Sequence, residues 1–295
     1  MSLRLRRASR DPLGSLPREM AAAPIGRRHE ARAGRFFQHV TLSDERLGLI
    51  GFTVSLPDPV PITRLPLVVV LGGLHTGETN LHHVDPGGDN ALIGYDWPLP
   101  TPFPKGLGAL TQIPSLRRQA LSVPGQVGAM LRWLTTQPWS DSQRISVVGF
   151  SLGAIATPAV NRVAQREGVA IGWTVLAYGG VGLAALVEGD RRIRPPWIRP
   201  LLGAGATLLL RPLEPAEHLP HLAGHFLIIG ATRDTIVERR TSARLEELTP
   251  EPKTVIYTAG DHIGTGRDRQ VLLEEAIAAT RQWLVAEGAV NPVEP

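Results

Sequence analysis

One short stretch constrains this chain more than any other: Gly149-Phe150-Ser151-Leu152-Gly153, directly after the β-branched run Arg144-Ile145-Ser146-Val147-Val148. The next segment, Leu152 to Arg166, has the composition and spacing of a helix. A serine between two glycines at a strand-to-helix junction demands a very tight turn. Glycine fits the flanking positions, where a Cβ would clash. The serine is held on strained backbone with its hydroxyl outward. The first N–H groups of the helix point at the same spot and suit a developing negative charge. The plainer alternative is a tight turn carrying an ordinary serine.

Two further segments complete a pattern. The apolar run His225-Phe226-Leu227-Ile228-Ile229-Gly230 reads as a buried strand and ends in Ala231-Thr232-Arg233-Asp234-Thr235-Ile236-Val237, which presents Asp234 in a turn. The run Thr254-Val255-Ile256-Tyr257 leads into Ala259-Gly260-Asp261-His262, with His262 in the loop beyond a last strand. A long amphipathic helix is expected from about Asp268 to Ala286. Serine, acid and histidine thus each come just past the carboxyl end of a strand, where open α/β sheets bind ligands. A serine hydroxyl is a poor nucleophile until an imidazole takes its proton, and the imidazole needs a carboxylate to fix its tautomer. Separately, Asp234 serves equally as a cap for a helix starting near Val237, and His262 as a loop histidine. Asp261 adjoins the histidine in sequence, so it ranks below Asp234 as the acid.

On the elbow, the acid turn and the Gly-Asp-His loop, the chain resembles the α/β-hydrolase superfamily from about Phe36 to Glu287. That resemblance implies a mostly parallel twisted sheet with helices on both faces, in the α/β class. It implies Ser151 as nucleophile, His262 as base and then acid, and Asp234 as its partner. It also implies an oxyanion loop after Leu67-Val68-Val69-Val70-Leu71. Gly72-Gly73-Leu74-His75 stands there, so Gly73 takes the donor position, with Leu74 second choice, and Leu152 supplies the other N–H. The superfamily's usual His before that Gly is Leu71 here. A lid after the sixth strand is also implied. The segment 179–224 fits, with six prolines, Trp197 and a Leu-rich run. Such a lid would shape an apolar pocket and exclude water; the alternative is an irregular connection packed on the core. Leu74, His75 and Trp197 are the candidate substrate contacts.

The expected activity is hydrolysis of a small or medium carboxylic ester through an acyl-enzyme on Ser151, with no cofactor. Thioester, amide or peptide cleavage would use the same machinery. A non-catalytic binding module on the same fold is a separate class, and the order of the three residues argues against it.

Composition excludes several other classes. With no cysteine among 295 residues, disulfides, thiolate metal sites and a cysteine nucleophile are all ruled out. A cysteine-free chain suits a reducing compartment. Arginines interrupt every apolar run near the N-terminus, so no secretory signal is read there. The run Leu201 to Leu210, between Pro200 and Arg211, is too short to span a bilayer. A cytoplasmic location is expected, with a small-molecule partner, no membrane span and no nucleic acid; oligomeric state is not legible.

The net charge is +4, and lysine occurs only at Lys105 and Lys253. Arg4, Arg6, Arg7, Arg10, Arg18, Arg27, Arg28, Arg32 and Arg35 crowd the start. Such an arm suits nucleic acid or anionic lipid. Without interleaved aromatics, a solvated extension over 1–35 is the simpler expectation, followed by one catalytic domain over 36–295. His75, Glu78, His82, His83, Asp85 and Asp89 form a rival cluster with metal-ligand chemistry. Adjacent histidines and a Pro-Gly-Gly loop do not give a ligand spacing, so no metal is expected. Breakers also read Asp96–Pro114 as loop and Val123–Thr136 as the next helix.

Overall fold

Leu65–Leu71 (β4) is buried along its whole length, and Ala91–Tyr95 (β5) is as well. A strand without a polar face must be covered on both sides, which is the signature of a parallel sheet wrapped by helices. Alternation sorts its residues: Leu67, Val69 and Leu71 join one core cluster, Val68 and Val70 the other. The computed structural model describes residues 23–32, 34–72, 77–81, 87–100, 108–190, 193–262 and 269–293.

Ahead of β4 come Ala23–Arg32 (β1), Arg35–Asp44 (β2) and Gly48–Pro57 (β3). After β5 come Ser140–Phe150 (β6), Trp173–Ala177 (β7), His225–Ala231 (β8) and Lys253–Thr258 (β9). They form a nine-stranded sheet in the order β1-β2-β3-β5-β4-β6-β7-β8-β9. The pairs from β5 to β9 are parallel, and β1 to β3 form an antiparallel flank joined to β5. The β2–β3 turn is held by Asp44, whose Oδ1 accepts the N–H groups of Arg46 and Leu47, both at 2.8 Å.

Gly108–Thr135 (α2) and Leu152–Arg166 (α3) cover one face through Val127, Met130, Leu134, Val160 and Ala164. Arg269–Ala286 (α7) covers the other through Ala276, Ile277 and Leu284. Gly77–Leu81 (α1) lies against β5 so closely that a Cβ on Gly77 would run into the Gly94 carbonyl. Arg239–Leu248 (α6) comes after β8.

Two expectations differ from the structure. Ala23–Arg32, expected within a solvated extension, is an edge strand registered on β2, so the sheet domain reaches back at least to Ala23. An edge strand needs only backbone partners on one side, and hydrophobic periodicity carries no trace of that. Residues 1–22, with Arg4, Arg6, Arg7, Arg10 and Arg18, lie outside the described residues. The second difference is α2, which starts within the expected loop and runs on through Pro114 and Pro124. An interior proline costs about 3 kcal/mol. Burying Val123, Val127, Met130, Leu131 and Leu134 returns about 1.5–3 kcal/mol each, so packing wins.

The segment 179–224 is mostly helical. Leu183–Gly189 (α4) and Arg199–Leu210 (α5) pack together as a hairpin, and α5 also meets α2. Short 3-10 turns lie beyond at Arg211–Leu213, Pro215–Glu217 and Leu219–His221. Glu214 holds the start of α4, its two carboxylate oxygens each accepting at 2.8 Å from the N–H groups of Gly182 and Leu183. Among the described residues, no helix is long and apolar enough to cross a membrane.

Candidate active site

The β6–α3 junction is as tight as the sequence implies. A Cβ on Gly153 would run into the Leu71 carbonyl of the neighbouring strand. A Cβ on Gly149 would sit 2.5 Å from Thr157 Oγ1 and 2.8 Å from the Ala154 backbone. Between them Ser151 has φ 52° and ψ −110°, a sparsely populated conformation that costs on the order of 1–3 kcal/mol. The surroundings enforce it: the Ser151 N–H donates to the Ala177 carbonyl of β7 at 2.8 Å, and its carbonyl accepts from Ile155 in α3. Leu152 is the first residue of α3, so its N–H is among those without a partner inside the helix.

Ser151 Oγ lies 2.9 Å from Nε2 of His262, and Nδ1 of the same ring lies 2.9 Å from Oδ2 of Asp234. The acceptor-only carboxylate assigns the ring proton to Nδ1, which leaves Nε2 as an acceptor facing the serine. The His262 and Asp234 side chains are 4% and 7% exposed, so this line of hydrogen bonds is shielded from water. The other oxygen of Asp234 accepts from the N–H groups of Ile236 and Val237 at 2.9 and 2.7 Å. One carboxylate thus bonds the N–H groups of its own turn through one oxygen and the His262 ring through the other.

Asp261 does not reach the imidazole. Its Oδ1 accepts from the N–H and hydroxyl of Thr235, each at 2.8 Å, and from the His262 N–H at 2.7 Å. Burial pushes its pKa up, but those hydrogen bonds and the nearby His262 outweigh it and hold the carboxyl below the usual range. It fastens the loop carrying Asp234 to the loop carrying His262. Thr232 and Arg233 do the same through backbone bonds to Thr258 and Gly260.

Tyr178 joins the site without being a candidate from the sequence. It comes directly after β7 at φ 56°, its ring packs edge-on to His262 with centroids 5.7 Å apart, and its hydroxyl bonds Thr258 Oγ1 at 2.9 Å. Burial raises its pKa, the Thr258 hydrogen bond opposing and the Glu275 and Asp234 charges adding to the rise. The sequence signal for it is an aromatic residue at the end of an apolar strand, ahead of Gly179-Gly180.

Gly73, Leu74 and His75 lie outside the described residues. Both ends of their loop are anchored. The Gly72 carbonyl accepts from Trp97 Nε1 at 3.1 Å, and the Gly77 N–H donates to Asp96 Oδ1 at 2.5 Å. Of the cluster with metal-ligand chemistry, His82, His83 and Asp85 are also outside the described residues, Glu78 faces His39 Nε2 at 3.5 Å, and Asp89 is exposed. Among the described residues, no group of three or more acids and histidines is arranged to hold a metal ion.

A cavity of about 420 Å³ opens beside Leu152. Its walls come from α2, α3, α4, α5 and the stretch holding Trp97 and Leu99. Trp197, expected against substrate, is 76% exposed and lines no part of it. It stands in the 3-10 turn Pro196–Ile198 ahead of α5, and within α5 Leu209 and Leu210 line the cavity while Leu201 and Leu208 are exposed.

No protein-family model matches the sequence, and no curated protein sequence does. Solved structures do match in shape. Acetyl xylan esterase 1 from Thermoanaerobacterium sp. is 12% identical over 90% of both chains, with a TM-score of 0.61. An esterase from Pyrobaculum calidifontis is 19% identical, covering 84% of this chain and 85% of its own, with a TM-score of 0.58. A 2,6-dihydroxy-pseudo-oxynicotine hydrolase is 19% identical over 86% of this chain and 70% of its own, at 0.60. Identities this low carry architecture alone, and the architecture shared by this chain is the α/β-hydrolase fold.

Proposed function

We propose that this protein is a serine hydrolase that cleaves carboxylic esters through an acyl-enzyme on Ser151. The observation that carries the reading is the pair of 2.9 Å hydrogen bonds running from Ser151 Oγ through His262 to Asp234. The esterase and hydrolase structures of the same fold support it.

In this reading Ser151 Oγ attacks the ester carbonyl carbon while its proton passes to His262 Nε2. The carbonyl oxygen becomes an oxyanion and accepts from the Leu152 N–H and, by the resemblance, from that of Gly73. Asp234 keeps the imidazole in the acceptor tautomer and steadies its charged form. The C–O bond then breaks, and the departing alkoxide takes the proton from His262. A water attacks the acyl-enzyme as His262 removes its proton; the acid is released and Ser151 recovers its hydrogen. No cofactor enters any step. The same reading treats the sheet and its helices as one catalytic domain, extended to Ala23 by β1, with 179–224 as a lid over the cleft.

A fluorophosphonate probe tests it on the full chain. Wild type is expected to be labelled at Ser151, and Ser151→Ala to lose both labelling and p-nitrophenyl ester turnover by a factor of about 10⁴ or more, on the order seen for triad members. Labelling retained in Ser151→Ala would refute the assignment.

A further inference from the structure

The cavity beside Leu152 has walls unlike those a polar substrate needs. Ile113 and Leu116 come from α2, Leu186 from α4, and Ala206 and Leu209 from α5. Arg117 is the one charged residue among the described walls, and its Nε is turned to the Leu209 carbonyl at 2.9 Å on the exposed side. Hydroxyls or amides of a sugar or peptide would lose water there and find no partner. An apolar group loses nothing.

The cavity also lies on a definite side of the serine. Among the described residues, none of its walls comes from the chain after Leu213, and neither Asp234 nor His262 is one of them. The alcohol oxygen must leave towards His262 Nε2, because it takes its proton from that atom. That leaves the cavity beside Leu152 for the acyl group.

Size then separates acyl groups. An apolar cavity of about 150 Å³ accepts a benzene ring. This one, at about 420 Å³, is nearly three times larger. An acetyl group would leave most of it empty, and the walls would forgo their contacts. We propose that the cavity is the acyl site and that the substrates are esters of medium-chain fatty acids of about eight carbons. The inference rests on the hydrolase reading, with Ser151 as the nucleophile. Leu186, Ala206 and Leu209 of the helical hairpin, with Ile113 facing them, set the chain length.

The test is a p-nitrophenyl ester series from acetate to hexadecanoate on the full chain, run beside fluorophosphonate labelling. Each methylene moved out of water favours binding about four-fold. kcat/KM is therefore expected to rise at least about twenty-fold from acetate to octanoate and to fall again by hexadecanoate. Ala206→Trp should lower the octanoate value at least about ten times more than the acetate value. Ile113→Trp, on a half-buried position of a different helix, should act in the same direction if the first variant does not fold. Labelling at Ser151 with a flat profile, or with acetate preferred, overturns the acyl-site inference and leaves the hydrolase reading standing. So does an equal loss on all chain lengths in both tryptophan variants. Absence of labelling overturns the hydrolase reading, and this inference with it.

Discussion

The Tyr178 ring stands edge-on to His262, 5.7 Å between centroids at an interplanar angle of 77°. It forms a wall against which the imidazole rests between Ser151 and Asp234. Tyr178→Phe keeps that wall and loses only the hydroxyl bond to Thr258. The expected outcome is a stability loss of about 1 kcal/mol and a rate within a few-fold of wild type. Tyr178→Ala removes a fully buried ring, with an expected cost of about 3–5 kcal/mol and a fall in kcat with little change in KM. Thermal unfolding and steady-state kinetics check both; a Phe variant as impaired as the Ala variant would show that the hydroxyl, not the ring, matters.

The two acids near His262 should separate cleanly. Asp234→Asn is expected to lower kcat on the order of 10⁴-fold by disturbing the imidazole tautomer. Asp261→Asn touches only the loop-to-loop fastening and should cost far less. The reverse ranking would move the orienting role to Asp261.

Asp261 also predicts a pH dependence. Its carboxyl titrates lower in the folded protein than in the unfolded chain. Its stabilising contribution is therefore fully present above the unfolded value of about 3.9 and disappears as pH falls through the lower folded value. Melting temperatures of wild type and Asp261→Asn should differ at neutral pH and converge in strong acid. A gap that is constant down to the lowest pH would mean that Asp261 stabilises the loops by shape alone.

Glycines at two sites should respond oppositely. Gly153→Ala places a methyl into the Leu71 carbonyl, so the elbow must open, with an expected loss of at least about 1–3 kcal/mol and of most activity. Gly205 sits within α5 with open space where a Cβ would go. Gly205→Ala should raise stability by up to about 1 kcal/mol, through helix propensity. Calorimetry of the two variants decides this.

Much of this arrangement is written in sequence because it is local. The glycines at 149 and 153 dictate the elbow, since a Cβ at either position would collide with neighbouring atoms. Continuous apolar runs mark β4, β6 and β8 as strands covered on both faces, and residues just past such strands fall on one sheet edge by topology alone. That is why Ser151, Asp234 and His262 are legible although 111 residues separate the serine from the histidine. Features that depend on distant partners are not legible. β1 is a strand only because β2 offers it backbone groups, and α2 runs through two prolines only because the sheet rewards its apolar face. The side to which Trp197 turns depends on how the α4–α5 hairpin docks against α2. The meeting of Tyr178 with His262, and of Asp261 with Thr235, requires strands far apart in the chain to lie side by side. Local sterics act within a few residues and can be read from the sequence, whereas packing energy is shared across the sheet and exists only once the chain has folded.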